Sequence, residues 1–221
     1  MRLILPTGDG SCTLKDLRTG ETYHSEYGAL QESLHIYIGL GFEEWIVRNS
    51  PSSNQTVHIL EMGFGTGLNA LLTWKYALQY GVKVMYHTYE LYPLADEIPF
   101  LKYEVPNSEC LQTLHHLGWN CSHLLDSYFS IHKHHEDFTR ADVPEGIDIV
   151  YYDAFSPNVQ PELWRADIFV QLYEKQNPKG ILTTYCAKGE VRRALTAVGY
   201  GVERLGGPKG KREVLRATKL S

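Results

Sequence analysis

Three glycines at every second position, Gly63, Gly65 and Gly67, follow a short apolar run and precede a leucine-rich segment. Glycine tolerates a positive φ and has no Cβ atom, so a ligand can approach such a backbone closely. Glu61 stands two residues before the first glycine. A carboxylate there is unsuited to a pyrophosphate but suits the cationic amino-acid end of S-adenosylmethionine. The motif E-x-G-x-G-x-G therefore predicts a methyl-donor site, with a strand-to-helix turn that binds nothing as the alternative.

Further acids stand where other strand-like runs end, at Glu90, Asp137 and Asp153. Ligands of an open α/β sheet bind at the carboxyl ends of strands, so these acids should lie near the glycine loop. Glu90 is expected to bind the ribose hydroxyls, and Asp137 the adenine amino group, with Phe138 against the ring. Asp126 is the alternative for the adenine, and a cap or loop carboxylate is the alternative for any single acid. The expected donor contacts are Glu61, Gly63, Phe64, Gly65, Gly67, Asn69, Glu90, Asp137, Phe138 and Asp153.

Strand-like apolar runs alternate with helix-compatible segments, a rhythm typical of a doubly wound parallel sheet. The last two runs differ, because the loop 206–211 is too short for a crossover helix and favours an antiparallel hairpin. Seven strands ending in that hairpin predict an α/β, Rossmann-like class I S-adenosylmethionine-dependent methyltransferase. The predicted strands are 57–61, 83–90, 128–135, 147–153, 180–185, 200–205 and 212–217, and the helices lie near 67–80, 96–117, 161–176 and 188–198.

The first 50 residues precede this sheet, which we assign to a domain over 51–221. Residues 7–20 are predicted to form a β-hairpin and residues 27–47 an amphipathic helix. A sheet that opens at Val57 leaves its carboxyl edge uncovered. We therefore interpret residues 1–50 as an N-terminal cap over the site.

The composition excludes several classes of protein. With 221 residues and 43% hydrophobic content, the chain fits one globular domain with a substantial core. It has no apolar stretch of the ~20 residues that a membrane helix needs, and its N-terminus does not resemble a secretory signal, so we expect a cytoplasmic protein without membrane contact. Its cysteines form no C-x-x-C pair, which favours free thiols. His132, His134 and His135 lack a fourth ligand, so no metal site is predicted.

The charge is unevenly distributed. Residues 188–221 contain nine Lys or Arg and three Glu, a net charge of +6, whereas the rest of the chain carries −11. A basic surface on an acidic protein attracts polyanions such as RNA, because phosphate contacts need no particular sequence. A solvated face that keeps a hairpin soluble is the alternative.

Five segments between residues 23 and 215 together carry a family resemblance. They read Y-H-S-x-x-G-A-x-x-E-S at 23–33, I-L-E-M-G-F-G-T-G-L-N at 59–69, D-A-F-S-P at 153–157 with P-E-L-W at 161–164, T-Y-C-A-K-G at 184–189 through V-R-R-x-L at 191–195, and G-P-K-G-K-R-E-V-L at 207–215. They resemble the methyltransferase module of the MnmC-like family, bifunctional bacterial proteins of tRNA 5-methylaminomethyl-2-thiouridine biosynthesis. Val214 replaces a family Met. No segment resembles the family's FAD-dependent oxidase module, so we expect a stand-alone methyltransferase.

The resemblance implies methyl transfer from S-adenosylmethionine to the exocyclic amine of 5-aminomethyluridine, with or without a 2-thio group, at the tRNA wobble position. The product is 5-methylaminomethyluridine. An amine must approach the methyl carbon uncharged and in line, so the site needs a desolvated pocket and a proton acceptor. Asp153 is the expected acceptor, with Phe155 and Pro157 behind it.

The resemblance also implies roles on the substrate side. Tyr185 and Glu32 join Asp153 as expected catalytic residues, and the anticodon stem-loop of tRNA is the expected partner. Ser25 has a second interpretation as a helix cap. The expected substrate and RNA contacts are Tyr23, Ser25, Phe155, Pro157, Lys188, Lys209, Lys211 and Arg212.

Other functions remain as alternatives. A small-molecule amine methyltransferase would share the donor site without salt-sensitive RNA binding. A noncatalytic RNA-binding protein on this fold should have lost Glu61 or Asp153, and the chain keeps both. A dinucleotide oxidoreductase is disfavoured by Glu61 and by a glycine spacing that differs from G-x-G-x-x-G. The sequence leaves the oligomeric state open.

Overall fold

The computed structural model describes residues 1–52, 54–95, 97–103 and 108–220. Its N-terminal cap begins with a two-stranded antiparallel sheet and continues as one helical stretch over 29–49. This stretch overlaps the helix predicted at 27–47, but residues 34–43 are π-helical. The cap elements are β1 (Arg2–Pro6), β2 (Cys12–Asp16), α1 (Ala29–Ser33), a π-helical segment (Leu34–Glu43) and α2 (Glu44–Asn49).

The hairpin of the cap begins at Arg2, earlier than the predicted start at residue 7. Residues 7–11 form its turn instead, because Oδ1 of Asp9 accepts hydrogen bonds from the hydroxyls of Thr7 and Ser11. The first strand was missed because its apolar residues Leu3 and Ile4 are exposed and show no alternation.

The remaining chain folds into a mixed sheet with helices. Its strands are β3 (Thr56–Met62), β4 (Lys83–Tyr89), β5 (Ser122–Leu124), β6 (Phe129–His134), β7 (Ile147–Tyr152), β8 (Gln176–Thr184), β9 (Tyr200–Gly206) and β10 (Glu213–Lys219), and its helices are α3 (Leu68–Tyr80), α4 (Cys110–His116), α5 (Ala166–Lys175) and α6 (Gly189–Val198). The strand order is β5-β6-β4-β3-β7-β8-β10-β9. Strands β3, β4, β6, β7 and β8 are parallel, whereas β10 is antiparallel to both β8 and β9, which confirms the predicted hairpin.

The sheet has eight strands, one more than predicted. The additional strand β5 has three residues and pairs antiparallel with β6 at the edge, so it is too short to give a periodic pattern. The predicted helix over 96–117 is replaced by a short 3₁₀ turn (Ile98–Phe100) and α4. Parts of that prediction, at 96 and 104–107, lie outside the described residues.

The order of the strands brings three carboxyl ends together. The chain crosses from β3 to β4 on one side, and β7 pairs with β3 on the other, so β3 marks the point where the winding reverses. Open α/β sheets bind ligands at such a reversal. Apolar clusters cover both faces of the sheet. None of the helices in the described ranges is long and apolar enough to cross a membrane.

Candidate active site

A cavity of about 670 Å³ opens at the carboxyl ends of β3, β4 and β7, beneath cap residues 16–26. Ligand sites of this size are typical for small molecules and cofactors. Its wall contains fourteen residues that the sequence predicted: Tyr23, Ser25, Glu32, Gly63, Phe64, Gly65, Asn69, Glu90, Asp137, Phe138, Asp153, Phe155, Tyr185 and Lys211. Six predicted residues lie outside that wall: Glu61, Gly67, Pro157, Lys188, Lys209 and Arg212.

The glycine loop forms one side of the cavity. Gly63 and Gly65 have φ angles of 90° and 48°, which favour glycine. The Gly65 amide donates a 3.0 Å hydrogen bond to Oε2 of Glu90, and a Cβ atom on Gly65 would lie 3.1 Å from the Tyr23 ring. Gly67 immediately precedes α3, away from the wall. The loop thus presents backbone to the cavity and is closed from above by Tyr23.

Acidic residues line the end of the cavity near β4 and β6. Oε1 of Glu90 accepts a hydrogen bond from the Tyr92 amide, and each carboxylate oxygen has a further lone pair for a ribose hydroxyl. Asp137 accepts from the Thr139 amide, and Phe138 packs edge-on against Tyr89. This end of the cavity thus combines carboxylate acceptors with an aromatic ring, the groups that an adenosine needs.

Asp126, the alternative for the adenine, has a structural role. Its Oδ2 accepts a hydrogen bond of 2.6 Å from Nε1 of Trp74, and its Oδ1 accepts from the amides of Tyr128 and Phe129. The carboxylate therefore secures the loop before β6, and it is not part of the cavity wall.

Two buried acids near the cavity have raised pKa values. Glu61 is fully buried and its Oε2 accepts a 2.7 Å hydrogen bond from the Thr88 hydroxyl. Burial raises the pKa of Glu61 to about 8. Burial also raises the pKa of Asp153 to about 8, although Tyr37 and Asn69 donate hydrogen bonds to its two oxygens. Of the two, only Asp153 lines the cavity, and a perturbed acid in a cavity is typical of active sites.

The D-A-F-S-P loop after β7 is held from three directions. The Tyr185 hydroxyl donates to the Ala154 carbonyl over 2.9 Å, and Nε1 of Trp164 donates to the Phe155 carbonyl over 2.8 Å. From the cap, the Ser156 amide and hydroxyl both donate to the Glu21 carboxylate. These contacts fix the loop that carries Asp153 and join it to the cap.

Another part of the cavity wall contains an ion pair. Nζ of Lys211 lies 3.1 Å from Oε2 of the buried Glu32 and 4.8 Å from the ring centre of Tyr185. Oε1 of Glu32 accepts from the Ser25 amide. Ser25 is not the helix cap, since Gly28 precedes α1, but its hydroxyl accepts from the amide two residues on.

The other basic candidates lie outside the cavity. Lys188 donates a 2.7 Å hydrogen bond to Oδ1 of Asn158, and Lys209 and Arg212 are exposed. Pro157 belongs to the loop after Asp153 and does not line the cavity.

Comparisons with known proteins agree with this geometry. A family model described as S-adenosyl-L-methionine-dependent methyltransferase matches residues 129–220. The tRNA 5-methylaminomethyl-2-thiouridine biosynthesis bifunctional protein MnmC of Azoarcus sp. strain BH72 is 30% identical, covering 91% of this chain and 33% of that protein. The MnmC of Leptospira interrogans serovar Lai is 28% identical, covering 88% and 32%. The crystal structure of MnmC2 from Aquifex aeolicus superposes with a TM-score of 0.83 at 26% identity, covering 100% of this chain and 72% of that one.

Over its whole length the chain resembles the MnmC-like S-adenosylmethionine-dependent methyltransferases.

The chain spans about a third of the length of the curated relatives that it matches. Its fold extends beyond the family. Spermidine synthase from Thermotoga maritima superposes with a TM-score of 0.59 at 13% identity, covering 99% of this chain and 70% of that one, which shows the shared fold alone.

The cavity residues fit S-adenosylmethionine. Oδ1 of Asn69 is buried without a hydrogen-bond partner among the described residues, and a buried acceptor of this kind favours a donor such as an ammonium group. Asp153 is beside it, Gly63 and Gly65 leave room for the ligand, and Glu90 lines the acidic end of the cavity. These residues would hold the methyl donor.

Three residues of this site were missed by the sequence interpretation. Tyr37 and Glu21 contact the loop that starts at Asp153, and Thr88 donates to Glu61. Each lies far in sequence from its partner, so no local spacing connects them. The Y-H-S segment at 23–25 indicated that the cap takes part in the site, but not which cap residues reach β7.

Proposed function

We propose that this protein transfers a methyl group from S-adenosylmethionine to the exocyclic amine of 5-aminomethyluridine or its 2-thio form at the tRNA wobble position. The observation that carries the proposal is Asp153, a cavity-lining carboxylate with a raised pKa that is bonded from behind by Tyr37 and Asn69. The similarity to MnmC supports the choice of substrate. A tRNA substrate also favours a cytoplasmic location.

The site residues account for each requirement of the reaction. The donor supplies a methyl carbon on a sulfonium, whose bond to sulfur breaks as the amine nitrogen forms a new bond to that carbon. Asp153 accepts the proton that the amine must lose, and Tyr23, Phe155 and Tyr185 enclose the reacting atoms and exclude water. Desolvation in this enclosure favours the neutral, nucleophilic form of the amine.

The size of the cavity supports a substrate larger than the donor alone. Its volume of about 670 Å³ extends from the acidic end at Glu90 and Asp137 to the side lined by Glu32 and Lys211. We assign the first region to the adenosine of the donor and the second to the uridine. Each region has polar groups suited to its ligand.

The basic C-terminal segment provides a surface for the rest of the anticodon stem-loop. Lys209 and Arg212 are exposed and flank Lys211, which lines the cavity. A flipped wobble nucleotide that entered the cavity would bring its neighbouring phosphates towards this loop. Phosphate contacts by exposed cations contribute affinity without sequence preference.

The proposal is tested with tRNA isolated from cells that lack the family's methyltransferase. The tRNA is incubated with the protein and methyl-labelled donor, and its nucleosides are analysed by mass spectrometry. We expect labelled 5-methylaminomethyluridine or its 2-thio form. Labelled small amines in a cell extract, with unlabelled tRNA, would instead favour a small-molecule methyltransferase.

A further inference from the structure

Tyr37 is a buried residue of a π-helical segment, an uncommon type of helix. It lies in the π-helical segment Leu34–Glu43, in which Ile36, Tyr37 and Ile38 are buried in succession. A π-helical turn contains more residues than an α-helical turn, so it changes which side chains face the sheet, and such turns are frequent at functional sites. The Tyr37 ring accordingly packs against Tyr151 of β7, with ring centres 5.3 Å apart.

The Tyr37 hydroxyl contacts the acid at the centre of the site. It donates a 2.6 Å hydrogen bond to Oδ1 of Asp153, while Nδ2 of Asn69 donates a 2.8 Å bond to Oδ2. Tyr37 is fully buried and is not part of the cavity wall, whereas Asp153 and Asn69 are. The carboxylate is therefore fixed by one donor on each oxygen.

These donors oppose the effect of burial on Asp153. Burial raises the pKa of Asp153, and the hydrogen bond from Tyr37 is foremost among the contacts that lower it. Hydrogen bonds to the charged form of an acid favour that form. Burial also raises the pKa of Tyr37 well above its usual value, so its hydroxyl remains a donor at neutral pH.

We propose that Tyr37 is a positioning residue for methyl transfer, which orients the Asp153 carboxylate in the cavity and keeps it available as a proton acceptor. The inference rests on the proposed function, because it takes Asp153 to be the acceptor. Tyr37 contacts neither the donor nor the amine and acts through Asp153 alone.

The test compares Tyr37→Phe with Tyr151→Phe. Tyr151 is equally buried, but its hydroxyl lies 3.3 Å from that of Thr73 and does not contact Asp153. Each variant loses one buried hydroxyl, and only Tyr37→Phe leaves an oxygen of Asp153 without its donor. Carbon-13 NMR of labelled aspartate, assigned with Asp153→Asn, follows the titration of the carboxyl without any substrate.

We expect the pKa of Asp153 to rise by about one to two pH units in Tyr37→Phe and to remain unchanged in Tyr151→Phe. In methyl transfer, kcat of Tyr37→Phe should fall about tenfold or more at neutral pH and recover at higher pH, whereas KM for the donor should not change. Replacement of Tyr37 by 3-fluorotyrosine, a stronger hydrogen-bond donor of similar shape, should move the titration to lower pH. It also provides the test if Tyr37→Phe does not fold.

An unchanged titration of Asp153 in Tyr37→Phe, or an equal shift in both phenylalanine variants, would overturn the inference. The NMR readout is independent of tRNA, so it separates this inference from the proposed function. A shifted titration together with a wild-type protein that does not methylate tRNA would refute the function and leave the coupling of Tyr37 to Asp153 established.

Discussion

Nζ of Lys211 lies 3.1 Å from Oε2 of Glu32, and both residues line the cavity. The sequence interpretation assigned Lys211 to phosphate binding, together with Lys209 and Arg212. An ammonium group that faces a buried carboxylate and the Tyr185 ring has fewer donors left for a phosphate. We therefore expect the two exposed cations to provide most of the electrostatic attraction for RNA.

Lys209→Ala and Arg212→Ala should each weaken tRNA binding for all sequences and reduce the salt dependence by about one slope unit per lost phosphate contact. Lys211→Ala should change the slope less and slow methyl transfer more, because its charge lowers the pKa of Asp153. Filter binding at several salt concentrations measures the slopes. Arg165→Ala, an exposed cation paired with Asp167, is the control and should change neither. If the tRNA affinity of the wild type did not depend on the salt concentration, the assignment of this surface to RNA binding would be wrong.

Gly65→Val should abolish donor binding. The residue has a φ of 48°, and its new Cβ would lie 3.1 Å from Tyr23 on the cavity wall. Gly81→Val is the matched control, since Gly81 has a φ of 64° with open space around its Cβ position and lies after α3. Both variants should lose stability through backbone strain. Calorimetry with S-adenosylmethionine should detect binding only to the control variant. Normal binding by both variants would contradict the assignment of the glycine loop to the donor site.

Glu61 and Asp153 should make the unliganded protein less stable as the pH rises. Their pKa values are about 8 in the folded state, against ordinary values of 4.5 and 3.8. Between the ordinary and the raised pKa values, the folded state therefore binds more protons than the unfolded state. The stability that these protons contribute decreases as the pH rises and is lost as the pH passes about 8. Urea unfolding from pH 5 to pH 8 should show a falling free energy of unfolding.

Glu61→Gln should reduce that slope, because glutamine cannot ionise. Asp16→Asn is the control, because the pKa of this carboxyl is lowered in the folded state rather than raised. Hydrogen bonds from Arg18 lower the pKa of Asp16 to about 2, so its contribution changes only in acid. Its replacement should lower stability without altering the slope between pH 5 and pH 8. A Glu61→Gln variant with the wild-type slope would show that Glu61 does not contribute to the pH dependence of stability.

The sheet could be predicted from the sequence because buried parallel strands are continuous apolar runs. The run 147–153 predicted β7 and its terminal Asp153 within one residue, and the glycine loop predicted the start of α3. The strand β5 was missed because three largely exposed residues carry no periodic signal. The predicted helix over 96–117 included the 3₁₀ turn at 98–100, because three residues are too few to show a periodicity different from that of an α-helix.

The partners of the site residues could not be predicted in this way. Tyr37 is 116 positions from Asp153, and its inward direction depends on a π-helical register that α-helical periodicity does not describe. The basic character of Lys211 is visible in the sequence, but its pairing with Glu32 depends on how the cap packs on the C-terminal hairpin. Residue type thus indicated the chemistry, and tertiary packing determined which groups meet.

The most direct measurement of the central claim is the rate of methyl transfer to a synthetic anticodon stem-loop with a single 5-aminomethyluridine at the wobble position. Wild type and Asp153→Asn are compared across pH, and mass spectrometry locates the methyl group. We predict methylation of the exocyclic amine by the wild type. Asp153→Asn should be slower by ~10²–10⁴-fold near neutral pH, with most of the loss relieved at higher pH, where the amine is already neutral. Methylation at another atom, or normal turnover by Asp153→Asn, would contradict the account.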